Sequence, residues 1–162
     1  DCDMFCLGEV EADEYLFGQQ ATGRINNAIL HYPPGSALSK LLLEVTESRY
    51  NVPPGLKRPR ELYLKTRKLL GIPRSIETYK WGYWGPVLLT HAVKTLGLWD
   101  RSAPIDIYYP VHFESSQLFY EPGLSLKDIT TPRTKTVHLW NNTAVHGEPA
   151  ENTPLREILS FT

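Results

Sequence analysis

Apolar positions follow two periods along this chain. Near its start they come in short runs between turn residues. Met4 to Leu7 reads as the end of one strand, Tyr15 to Gln19 as a second and Ile25 to Tyr32 as a third. The acidic residues Glu9, Glu11, Asp13 and Glu14 read as a solvated connection. Pro33-Pro34-Gly35 closes the third strand, and Ser36 is placed to cap a helix. Leu38, Leu41, Leu42 and Val45 then recur at helical spacing, which predicts a helix to about Tyr50. Pro53-Pro54-Gly55 breaks the chain again. The basic stretch from Lys57 to Lys68 reads either as the exposed side of a helix or as a contact for anionic lipid head groups or an acidic substrate. After Gly71-Ile72-Pro73 comes the densest aromatic patch, Tyr79, Trp81, Tyr83 and Trp84, closed by Gly85-Pro86. Proline suits a first helical position, so a helix is expected from there. Its buried face is Val87, Leu88, Leu89, Ala92, Val93 and Leu96, and Gly97 is its stop. Ile105 to Tyr109 reads as a strand ending at Pro110, and Thr136 to Trp140 as the last strand. A C-terminal helix is expected from Thr153-Pro154. The sum is an α/β pattern without internal repeats, one domain over residues 1–162.

Composition narrows the function. The chain is 41% hydrophobic and 22% charged, as in an ordinary globular protein. A net charge of −1 leaves no basic surplus to neutralise phosphates, which argues against nucleic acid as a partner. No apolar run approaches the length of a membrane span. Cys2 and Cys6, four apart, would share a face of a strand yet sit too far apart to bridge, and have no other partner, so they read as small packing residues in a reducing compartment.

Five places carry candidate chemistry. Asp1 and Asp3 at i and i+2 on a strand point to one side, where their oxygens can converge on a hard cation such as Mn²⁺ or Mg²⁺. His138 and Trp140 alternate onto one face of their strand, with Val137 and Leu139 on the other. His138 reads as a satisfied core residue or as the group that completes the cation site; the Trp140 indole N–H can donate to a phosphate. Asn26 and Asn27 sit inside an apolar strand and read as edge pairing or as amides aimed at sugar hydroxyls. Gly85-Pro86 offers a helix start, and Tyr109 to Phe113 a strand end where sites collect in α/β folds.

Asp1-Cys2-Asp3, Ile25-Asn26-Asn27-Ala28-Ile29-Leu30, Gly85-Pro86 with Leu88-Leu89-Thr90, Tyr109-Pro110-Val111-His112 and Val137-His138-Leu139-Trp140-Asn141 follow one another in this order. Together they resemble the DXD-containing glycosyltransferases that include the α-1,4-galactosyltransferases and their bacterial relatives. The resemblance implies a GT-A fold, a Rossmann-like nucleotide-binding sheet, and sugar transfer with retention of configuration. It implies that Asp1 and Asp3 hold Mn²⁺ (or Mg²⁺) against a donor diphosphate, with His138 as third ligand and Trp140 donating to the diphosphate. Asn26 and Asn27 would hold the donor sugar, with Gly85 lining the site. Trp81, Tyr83, Trp84 and His112 would meet the acceptor. The implied partners are a nucleotide-sugar donor, UDP-hexose or more narrowly UDP-galactose, and a glycan or glycolipid acceptor. Peripheral membrane association would suit the latter. No residue is assigned as catalytic nucleophile or base.

In that family a nucleotide-binding βαβ half precedes the DXD, whereas this sequence opens on it. The expectation is therefore a C-terminal fragment of the catalytic domain, poorly active because an α-amino group would stand beside a metal ligand. The Ile25 to Leu30 run followed by Pro33-Pro34-Gly35 is closer to the bacterial members, which places the enzyme in the cytoplasm near the inner membrane. A Golgi-lumen homologue is the alternative. Asn141-Asn142-Thr143 matches the N-glycosylation pattern but overlaps the site strand and reads as a chance match. Two rivals remain. Aspartyl-phosphate phosphatases of the haloacid dehalogenase type also open on D-x-D, but Phe5 stands where they use Thr or Val. A non-catalytic carbohydrate-binding module accounts for the aromatics and leaves Asp1, Asp3 and His138 without a role. Dependence of ligand binding on Mn²⁺ or Mg²⁺ separates transferase from module.

Overall fold

The computed structural model describes residues 1–11, 13–21, 23–142 and 148–161. In chain order the main elements are β1 (Met4–Cys6), β2 (Leu16–Gln20), β3 (Arg24–His31), α1 (Ala37–Thr46), α2 (Arg58–Leu69), α3 (Leu88–Thr95), α4 (Ile105–Tyr108), β4 (Thr136–His138) and α5 (Pro154–Leu159). The fold is mixed α/β with small sheets: β1 pairs with β4 and β2 with β3, and no larger sheet forms among the described residues. No helix there is long and apolar enough to cross a membrane. The chain divides into two compact units, where the sequence pattern reads as one domain.

The first unit comprises Asp1–Asp13, Gly18–Gly23 and Ala103–Thr162. Its organising feature is the antiparallel register of β1 on β4, Met4 opposite His138, Phe5 opposite Val137 and Cys6 opposite Thr136. Val137 is fully buried with Val111, Phe119, Leu126, Leu155 and Ile158, and Phe5, Leu7 and Leu139 pack on that cluster. Thr136, Val137 and His138 are all buried, so β4 is covered on both faces where the alternation predicts one, and the strand ends at His138, not Trp140. Trp140 has a left-handed φ of 54°, which takes it out of the ladder. The segment Ile105 to Tyr109, expected as a strand, is instead the single helical turn α4. Its alternating apolar positions satisfy either reading. The Tyr109 N–H closes the turn on the Ile105 carbonyl at 2.9 Å, and tertiary bonds decide for it: the Thr134 hydroxyl donates to the Asp106 carbonyl at 2.7 Å and Arg133 pairs with the Asp106 carboxylate at 3.1 Å. Gly18 lies where a Cβ would stand 2.8 Å from a Tyr108 ring carbon and 2.9 Å from one of Tyr109, so only glycine fits beside these two buried rings. The helix expected from Thr153-Pro154 forms as α5, its Thr153 hydroxyl accepting from the Arg156 N–H at 3.3 Å. Cys2 and Cys6 are free and exposed rather than packed, because Cys2 falls in the turn before β1 and Cys6 ends β1 on its open side.

The second unit comprises Glu14–Phe17 and Arg24–Ser102. Ser36 caps α1 through the Ser39 N–H at 3.2 Å, as the pattern predicts. The helix stops at Thr46, short of Tyr50, and the Asn51 side-chain amide takes the freed Val45 carbonyl at 2.8 Å. Phe17, Ile25, Leu38, Leu89, Ala92 and Val93 form the core. The Ile25 N–H of β3 donates to the Thr90 hydroxyl of α3 at 2.9 Å, which ties strand to helix. Pro86 does not open α3 directly. A wide π-type turn over Tyr83–Val87, with Gly85 at non-helical φ −111° and ψ −107°, leads into it. Gly97, at φ 67°, ends it as expected.

Candidate metal centre and aromatic cleft

Asp1 and Asp3 lie on the turn that leads into β1, not on the strand itself, so their convergence comes from a bend and not from strand alternation. The register of β1 on β4 then carries His138 to them across the sheet. The Leu139 N–H donates to the Asp3 carbonyl at 2.9 Å and extends the ladder past its last pair. Asp1, Asp3 and His138 each offer a ligand atom, all within 4.8 Å of one another. His138 Nε2 is 2.9 Å from Asp3 Oδ1, and Asp3 Oδ2 accepts the Asn141 N–H at 3.0 Å. Neighbouring donors on one octahedral ion with bonds of about 2.1 Å stand roughly 3 Å apart, so the Asp3–His138 spacing fits a shared hard cation. Asp1 is exposed and completes the open side.

The environment sets the protonation states. Burial pushes the Asp3 carboxyl up, but the Asn141 N–H and the neighbouring His138 outweigh it, and the net position is below the ordinary 3.8. Burial pushes His138 below its ordinary 6.5, with Asp3 opposing. The imidazole is 7% exposed, stacks on Trp140 at 3.9 Å between centroids and meets the Tyr109 ring edge-on at 6.1 Å. Its Nδ1 is buried without a hydrogen-bond partner. At neutral pH the site thus holds an ionised carboxylate against a neutral imidazole, the forms that ligate a metal.

Both shifts have the same sign in their effect on stability. The unfolded chain takes up a proton at His138 near 6.5, before the folded one does, so stability falls as pH drops through that value. The Asp3 contribution is present above its ordinary 3.8 and is lost as pH falls through its lower folded value. In chelator-treated protein the thermal midpoint is expected to decline from neutrality toward about pH 5. His138→Gln should flatten that slope, as followed by circular dichroism.

The remaining candidates fall elsewhere. Trp140 donates its indole N–H to the Val111 carbonyl at 2.9 Å, so that group is already used and its ring serves as a wall for His138. This corrects the role read for it as a diphosphate donor. His112 belongs to the same unit, its Nδ1 accepting from the Glu114 N–H at 3.4 Å while Nε2 is buried without a partner. Asn26, Asn27, Gly85, Trp81, Tyr83 and Trp84 belong to the second unit. Asn26 is buried and its Oδ1 accepts the Ala28 N–H at 2.8 Å, an inward structural role. Asn27 faces out, and a Cβ on Gly85 would come 3.0 Å from its Oδ1, so glycine lets that amide close on the π-type turn. Asn27, Gly85, Trp81, Trp84, Tyr79 and Glu77 line a cleft of about 320 Å³. Trp84 donates to the Ile76 carbonyl at 2.9 Å and sits edge-on to Tyr79, as does Tyr83, so these three rings pack on one another. Trp81 alone is presented outward, at 86% exposure.

Sequence reading missed the Asn141 N–H that holds Asp3 and the Glu77 of the cleft. A backbone donor leaves no trace in residue type, and Glu77 looks like any surface acid. The glycosylation pattern at Asn141-Asn142-Thr143 ends outside the described residues. Comparison with protein-family models, with curated proteins and with solved structures returns no match.

Proposed function

We propose that this chain is part of a metal-dependent glycosyltransferase of the GT-A type, which moves a hexosyl group from a nucleotide-sugar donor to a glycan or glycolipid acceptor with retention of configuration. The observation that carries this reading is the meeting of Asp1 and Asp3 with His138, which lies 135 residues from Asp3 along the chain. A D-x-D pair alone is common; here it meets a buried imidazole whose Nε2 lies 2.9 Å from Asp3 Oδ1. Mn²⁺ or Mg²⁺ held by these three would neutralise charge on a leaving diphosphate. Taken by itself, the cleft of the second unit offers a sugar the Asn27 amide for its hydroxyls and the exposed Trp81 face as an apolar plane for its ring. Trp81 also favours a second reading, a carbohydrate-binding module that uses the cleft without chemistry. Calorimetric titration of UDP with and without Mn²⁺ tests both. The transferase reading expects UDP binding only with Mn²⁺. No UDP binding to folded protein in saturating Mn²⁺ would refute it, and sugar binding indifferent to a chelator would support the module.

A further inference from the structure

The outer face of α2 has no packing partner within its own unit, and its chemistry is specific. Leu64, 2% exposed, is the one buried side chain of the helix. Leu62 and Leu69, seven residues apart and so on one stripe, are 68% and 87% exposed. At about 100° per residue that stripe lies on the side away from Leu64. Leu70 and Ile72, just past the helix, continue the apolar surface at 70% and 53% exposure. A surface helix ordinarily turns its leucines inward; this one has them on both sides.

Around the stripe, residues 57–74 hold seven cations, Lys57, Arg58, Arg60, Lys65, Arg67, Lys68 and Arg74, against the single carboxylate of Glu61, in a chain whose net charge is −1. Tyr63, half exposed, is sandwiched by the Arg60 and Arg67 guanidiniums at 5.6 and 5.8 Å from its centroid, and its hydroxyl accepts from Arg67 at 3.1 Å. This arranges an amphipathic ring and two cations at one level, beside leucines that water wets. We infer that the outer face of α2 and the Leu70–Arg74 segment dock on an anionic lipid bilayer, with Leu62, Leu69, Leu70 and Ile72 entering the boundary of the acyl chains. The cations would meet lipid phosphates. A nucleic acid would satisfy the cations but leave the leucines wet; a bilayer surface satisfies both.

The test is co-sedimentation, in chelator, with vesicles of phosphatidylcholine alone and of phosphatidylcholine with phosphatidylglycerol. Binding is expected only to the anionic vesicles and should weaken with salt. Lys57→Gln/Arg58→Gln/Arg60→Gln should lower partitioning by roughly 100-fold. Leu62→Ser/Leu69→Ser, at exposed positions and checked for folding by circular dichroism, should lower it by roughly 10-fold or more. No vesicle binding, or equal binding to neutral vesicles, would overturn the inference. So would vesicle binding that the leucine pair leaves unchanged, which would mark a surface for polyanions. Chelator removes the Asp1–Asp3–His138 cluster from the readout, so either outcome leaves the transferase reading to its own test.

Discussion

Asp3→Ala is expected to lower Mn²⁺ affinity by at least about 100-fold, the upper end of what losing even an indirect partner of a metal ligand costs. Without metal, Asp3 accepts from His138 Nε2–H through Oδ1 and from the Asn141 N–H through Oδ2. In the proposed metal site, Asp3 and His138 Nε2 would exchange their mutual hydrogen bond for bonds to the cation, so removing Asp3 would delete one ligand and the carboxylate that positions the other. Its removal also leaves the Asn141 N–H and the imidazole without their acceptor, at a cost to stability of about 1–3 kcal/mol. Asp3→Asn separates the effects, because the amide can still accept one hydrogen bond but carries no charge. The expected order of Mn²⁺ affinity by calorimetry is wild type, then Asp3→Asn, then Asp3→Ala. Asp1→Ala should cost less than Asp3→Ala, since Asp1 is exposed. Equal Mn²⁺ binding by wild type and Asp3→Ala would leave Asp3 and His138 as a structural pair only.

Phe17→Ala is expected to destabilise the second unit by about 3–5 kcal/mol and lower its thermal midpoint by more than about 10 °C. Phe17 is fully buried against Ile25, Leu38, Leu89, Ala92 and Val93, with Tyr15 meeting its ring edge-on at 6.2 Å. These neighbours come from β3, α1 and α3, so the ring is the joint of three elements and its loss leaves a cavity that no single element can close. Phe17→Leu should recover more than half of the loss, which denaturant unfolding would show. An alanine variant as stable as wild type would mean that this core is not the source of the unit's cohesion.

Along the chain, local physics was legible and long-range physics was legible only where a motif pointed to it. The Ser36 cap, the Gly97 stop, the Thr153-Pro154 start and the inward faces of α1 and α3 follow from residue type and spacing, because capping bonds and helical period act within a turn or two. The partnership of Asp1, Asp3 and His138 was read from the order of motifs, yet its mechanism was misjudged: a turn and a strand register bring the groups together, not alternation along one strand. Ile105–Tyr108 shows the opposite failure. Four residues fit either period, and the decision lies with Arg133 and Thr134, more than two dozen positions away.

By itself, then, the sequence determined where α1 and α5 begin, where α3 stops, and which side chains could ligate a hard cation. Tertiary structure alone decided that Trp140 leaves its strand at φ 54° and gives its N–H to Val111, that Asn26 turns inward while Asn27 faces out, and that α2 carries leucines to solvent. The division has a physical cause. Capping and periodicity depend on neighbours a few residues apart, whereas which buried donor meets which acceptor depends on how distant segments fill one another's space.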